Sequence, residues 1–141
     1  MIIGVISAFI ATIGFSIIFH VPKEELIFCG SIGALGWLVY LLCIDFGSSP
    51  IVANFIASLI VSQGSSSLAK IRKIPVTILL IPGIIPVVPG AATYQTMHSL
   101  LLGDYMEAAS YASYTFQVAA VIAGAIALTT MLPRILGTVN K

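Results

Sequence analysis

Residues Ile74 to Gly90 read IPVTILLIPGIIPVVPG, and the fold turns on how this stretch passes through an apolar phase. Its prolines at 75, 82, 86 and 89 stand seven, four and three residues apart, so a helix would carry all four on one face. Each interior proline removes an amide donor and crowds the carbonyl four residues back, which would free the carbonyls of Ile78, Pro82 and Ile85. Gly83 and Gly90 follow two of the prolines and let the backbone turn. A helix over Ile74 to Val88 spans only about 22 Å, short of a hydrocarbon core of roughly 30 Å. Residues Ala91 to Leu102 are then needed to complete a crossing, and the interruption at Pro86 to Gly90 falls near its middle. Non-helical backbone at that depth is tolerated only where protein buries it or where it lines a wet cavity.

Working outward, four more stretches lack Asp, Glu, Lys and Arg: Met1 to Pro22, Leu26 to Ile44, Phe46 to Ala69, and Ala108 to Pro133. Each is long enough to cross a core that takes roughly 20 apolar residues. With 59% hydrophobic and 8% charged residues and a mean hydropathy of +1.12, the chain cannot keep a whole surface in water. Lipid-exposed backbone must satisfy itself, and the short alternating segments of a barrel are missing, so the crossings read as helices. The expected fold is an all-α, five-helix transmembrane bundle whose fourth helix is broken by Pro and Gly. It forms one transmembrane domain over residues 1–141, with helices over about 2–20, 26–44, 51–69, 74–102 (broken near 82–90) and 110–132. No basic residue precedes the first apolar run, which argues against a signal peptide. Cys29 and Cys43 share the second helix about 21 Å apart and read as free thiols, with no metal-site spacing.

Charge gives the orientation. Lys23, the Lys70, Arg72 and Lys73 cluster, Arg134 and Lys141 share one face of a five-crossing protein, while Asp45, Asp104 and Glu107 fall on the other. The basic face is read as cytoplasmic, which puts the N-terminus outside and the C-terminus inside. A re-entrant fourth segment would instead send Arg134 and Lys141 to the opposite side. With net charge +1, nothing suggests a nucleic-acid partner.

Small residues mark expected helix seams: Gly4, Ser7, Ala11 and Gly14 in the first helix, Gly30, Gly33, Ala34 and Gly36 in the second, and Ala120, Gly124 and Ala127 in the fifth. Trp37 and Tyr40 read as interface anchors or packing. Asn54, Ser58 and Ser62 recur every four residues on the third helix, a face that pairs with another helix or lines a polar path. Beyond the break, Tyr94 and His98 share a face, with Gln95 beside them. His98 has the side chain best suited to proton exchange near neutral pH, although a lone His is more often packed. Asp45, beside Gly47 to Pro50, reads first as part of a turn capping the third helix and secondarily as a proton-coupling acid.

The segments VPKEELIFCGSIGALGWLVYLL (Val21 to Leu42) and IPVTILLIPGIIPVVPGAATYQTM (Ile74 to Met97) resemble the C-terminal half, or separate small subunit, of the threonine/serine exporter family. The resemblance covers nearly the whole chain. It implies a subunit of a secondary transporter in the bacterial inner membrane, driven by the proton motive force and exporting small amino acids. It also implies a larger multi-helix partner of the same family, and higher oligomers are open. The candidate substrate path takes in Asn54, Ser58, Ser62, Pro82, Gly83, Pro86, Pro89, Gly90, Tyr94 and Gln95, and the candidate proton-coupling groups are His98 and Asp45. In transporters, broken helices present N-termini to carboxylates and free carbonyls to cations, and an amino acid carries both charges.

Rival readings stay open. An enzyme would need a nucleophile and base, paired acids or a metal set, and the sequence offers none of these and no cofactor motif. A membrane scaffold would use the break for packing alone. A dicarboxylate such as succinate is the alternative cargo, but no basic residue lies within a crossing to meet a second carboxylate.

Overall fold

The computed structural model describes residues 1–138. Lys141 and the side chain of Arg134, both used in the orientation reading, lie outside the described residues. The described chain is helical throughout: α1 (Ile2–Ile18), α2 (Leu26–Asp45), α3 (Pro50–Arg72), α4 (Val76–Ile84), α5 (Gly90–Leu102) and α6 (Tyr105–Thr138). Short 3-10 turns at Lys23–Glu25 and Ile85–Val87 lead into α2 and out of α4.

Local chemistry sets the ends. Ser49 accepts the Val52 amide and Pro50 opens α3, a favourable pairing of cap and first-turn proline. Ser49 is therefore the cap that the sequence assigned jointly to Asp45 and the serines, and Asp45 is exposed at the end of α2. α3 runs three residues beyond its expected end at 69, because Lys70 and Arg72 suit the negative C-terminal dipole. Lys73 then turns the chain with φ 56°. α6 starts five residues before its expected start at 110, where Asp104 accepts the Glu107 amide.

Three stretches are long and apolar enough to cross a bilayer alone: Lys23–Asp45, Pro50–Arg72 and Tyr105–Met131. Val76–Val87 and Gly90–Leu102 pass that test only as a pair, bent by 56°, the geometry of a broken span or a re-entrant loop. α1, at 17 residues and so about 25 Å, is short of a hydrocarbon core. Three or four spans are thus evident where the sequence led to five.

The interior is built on close backbone approach. α2 packs on α1, α3 and α4, and α4 also packs on α3. A Cβ on Gly33 would collide with Thr12 of α1, one on Gly36 with Val61 of α3, and one on Gly83 would sit 2.8 Å from Ile32 of α2. Cys29, Ile32, Val61, Ala69 and Leu79 form the core between α2, α3 and α4. At one end of this bundle Arg72 grips Glu25 through two nitrogens, at 3.0 Å and 2.7 Å to Oε1, and lies 4.6 Å over the Phe28 ring. The connections after α1 and after α3 therefore share that end.

The remainder is different. α5 packs on α6, and α6 packs on α3 as well. Val118, Ile122 and Ala125 form the stripe that α6 buries. Ala120, Gly124 and Ala127, expected in a seam, are exposed instead, and a Cβ on Gly124 would meet nothing. The period of small residues was right for a seam, but their face turns away from every described helix.

Candidate functional site

The break has defined chemistry. Pro82 sits inside α4, and the Ile78 carbonyl it frees accepts the Cys29 thiol of α2 at 3.4 Å. The Pro82 carbonyl receives the Ile85 amide, and the Ile85 carbonyl receives the Val88 amide at 3.1 Å. All three carbonyls expected to be free thus have partners within the protein. Pro82 and Gly83 are buried packing residues, with Gly83 against Ile32, and the opening begins further along.

After Val87 the chain is extended at Val88 (ψ 139°) and turns at Pro89 before α5 begins. Val87 packs near Gly36, the eleventh of the twenty residues of α2, so the interruption lies at the level of the middle of that helix. Against it lies a cavity of about 360 Å³ whose walls come from four directions: Trp37 and Tyr40 of α2, Asn54 of α3, Tyr114 of α6, and Pro86 to Ala92 of the break itself. The Trp37 and Tyr40 rings stack at 5.1 Å. Asn54 donates its amide to the Pro50 carbonyl at 2.7 Å, which fixes the side chain and leaves its carbonyl oxygen as an acceptor. Ala91 and Ala92 lie in the first turn of α5, where backbone amides have no intrahelical acceptor. The site therefore joins amide donors and positive dipole at a helix start to aromatic faces that attract cations.

Of the sequence-derived candidates, Asn54, Pro86, Pro89 and Gly90 meet at this cavity. Ser58 and Ser62 continue down α3 from Asn54, fully buried, and the Ser62 hydroxyl is paired with that of Thr129 on α6. Tyr94, Gln95 and His98 are not brought there. They lie on the exposed side of α5, where the Tyr94 and His98 rings stack at 5.9 Å. Tyr94 lines a second, larger groove of about 700 Å³ between α5 and α6, with Met97 and Phe116. That groove is larger but almost wholly apolar, and so is a weaker candidate for a polar solute. Asp45 lines none of these cavities.

Tyr114 is the residue that the sequence did not single out, while Trp37 and Tyr40, read there as interface anchors or packing, line the cavity. Trp37 and Tyr40 lie three apart and so share a face, but nothing in the sequence shows that face meeting the break. Tyr114 gives no signal, because its meeting with Trp37, Tyr40 and Asn54 depends on contacts distant in sequence. The Glu25 to Arg72 pair was also missed, although two acids, Glu24 and Glu25, among basic residues at the same end were the available clue.

The comparisons bear on the whole chain. No solved structure matches it. An uncharacterized protein of Haemophilus influenzae is 27% identical over 94 residues, which cover 67% of this chain. The chain spans about a third of that relative's length, 32%. A family model described as threonine/serine exporter, ThrE, matches residues 4–135. With helices able to span a bilayer and a match over nearly its full length, this multi-pass membrane protein belongs to the threonine/serine exporter, ThrE, family.

Proposed function

We propose that this chain is one half of a secondary exporter of small amino acids, threonine and serine, in the bacterial inner membrane, and that cargo passes the cavity at the α4 to α5 break. The observation that carries the reading is the composition of that cavity. A zwitterion's carboxylate suits the amides at the start of α5, and its ammonium suits the faces of Trp37, Tyr40 and Tyr114 and the Asn54 oxygen. Among the described residues, no Lys or Arg lines the cavity to hold the second carboxylate of a dicarboxylate such as succinate, which favours threonine and serine.

In this reading the chain crosses five times, with α4 and α5 forming one broken span and α1 tilting little because it is short. The N-terminus is outside, and the end bearing Lys23, Lys70, Arg72 and Lys73 is cytoplasmic. A larger multi-helix partner supplies the rest of the path, in keeping with the share of the relative that the chain covers. The exposed apolar faces of α5 and α6 suit that partner. Export draws on the proton motive force, with His98 as the candidate proton carrier and Asp45 as a weaker one, since neither lies at the cavity.

Counterflow of labelled threonine, serine and succinate in vesicles holding this chain with its partner tests the reading. Threonine and serine are expected to exchange and succinate to stay inert. Exchange of succinate alone would change the cargo, and inertness toward all three would leave a scaffold. In the same vesicles, His98→Ala is expected to uncouple threonine export from an imposed pH gradient while leaving counterflow in place.

A further inference from the structure

α3 carries a line of polar groups that the packing does not account for. Asn54, Ser58 and Ser65 fall on one stripe of the helix, descending by steps of about 6 and 10 Å from the cavity. The stripe continues through Ala69 to Arg72 at the basic end. On one side of it Val61 faces Gly36 and Gly83 of α2 and α4, and on the other Ser62 meets Thr129 of α6. The stripe therefore lies between the core with α2 and α4, which takes in Ala69, and the contact of α6 on α3.

Ser58 and Ser65 are each 0% exposed, and neither hydroxyl has a hydrogen-bond partner among the described residues. The other buried hydroxyls, Thr12, Ser16, Ser62 and Ser99, are all paired. Thr12, Ser16, Ser31, Thr93, Thr96, Thr115 and Thr130 each donate to the carbonyl four residues back, the ordinary refuge of a helical hydroxyl in an apolar setting. Ser58 and Ser65 forgo that bond, and an unpaired buried donor is unfavourable. α5 and α6 pack on each other, α6 rests on α3, and the extended residues at Val88 and Pro89 provide the link to α4.

We infer that the α3 to α6 seam is a water-conducting path, closed here, which opens from the break cavity toward the basic end when α5 and α6 move as one body away from α3. Ser58 and Ser65 then hydrogen-bond the entering water, and the Ser62 to Thr129 pair is the contact that closes the path. The inference rests on the exporter reading for what travels with the water, and not for the opening itself.

The test is thiol accessibility in membrane vesicles holding the whole transporter, with Cys29→Ser and Cys43→Ala as background. Ser58→Cys and Ser65→Cys are each expected to react with a small hydrophilic methanethiosulfonate at least ~10-fold faster than Ala57→Cys, which lies on a different face of α3, since a thiol reacts as the hydrated thiolate. A disulfide between Ser62→Cys and Thr129→Cys is expected to bring both rates down to the Ala57→Cys value, and reduction to restore them. Rates at 58 and 65 no faster than at 57, or unchanged by the disulfide, would overturn the inference. Threonine counterflow in the same vesicles separates the two readings: labelling without counterflow keeps the path and removes the exporter, and counterflow without labelling does the reverse.

Discussion

α1 to α4 and the α5 to α6 pair are made from similarly apolar sequence, yet they are held in different ways. In the first group, glycines at 30, 33, 36 and 83 each face a specific side chain on a neighbouring helix, so the backbones approach as closely as the missing Cβ allows. In the second, Gly124 faces open space, and α6 buries only a narrow stripe at Val118, Ile122 and Ala125, whereas α3 buries eight residues from Ala53 to Ala69. In lipid, apolar character does not select a packed face, because every face is equally at home there; complementary shape selects it. The break between the groups joins a body locked by glycine contacts to a pair that rests on α3 through the buried stripe of Val118, Ile122 and Ala125.

Several substitutions would sharpen or erase that contrast. The largest effect is expected at Gly33→Leu, where the new side chain collides with Thr12 and should lower the stability of the purified protein by about 3 kcal/mol. Unfolding in micelles followed by circular dichroism reads it. Next comes Arg72→Ala, which strands the buried Glu25 carboxylate and is expected to lower stability in the same assay by less than Gly33→Leu, because Arg72 stays 32% exposed. Arg72→Lys should recover only part of this, since an ammonium cannot reproduce the two-nitrogen grip.

Pro86→Ala acts on the link itself. It restores an amide donor at the break, so stability should hold while threonine counterflow falls by ~10-fold, equivalent to about 1.4 kcal/mol in the barrier. Unchanged counterflow would mean that the shape of the break is incidental. The smallest change is expected at Gly124→Leu, under about 0.5 kcal/mol, because no described atom stands in the way. A loss there equal to that at Gly33 would abolish the distinction between the two groups.

What could be read from the sequence follows the same division. Helical class and the interruption at Pro86 to Gly90 were legible because proline and lipid both act locally on backbone hydrogen bonds. The seam at Gly30, Gly33 and Gly36 was legible because small residues there lie against large ones. The matching pattern at Ala120, Gly124 and Ala127 misled, since a sequence does not reveal which face finds a neighbour. Ser65 could have been found by carrying the Asn54 and Ser58 stripe further along α3, whereas Thr129 could not. The carbonyls of Ile78, Pro82 and Ile85 were correctly expected to lose their usual donors, but the replacements, Cys29 above all, depend on how α2 and α4 are juxtaposed. Tyr94 and His98 were correctly placed on one helical face, and that face turned out to lie away from the cavity.

The most direct measurement concerns Val88, the exposed residue at the extended turn of the break. Val88→Cys, in the Cys29→Ser and Cys43→Ala background and in vesicles holding the whole transporter, is expected to react with a membrane-impermeant maleimide and to be shielded by threonine. Reaction only with a lipid-soluble maleimide, unaffected by threonine, would put the break against acyl chains and contradict a role for it in carrying cargo.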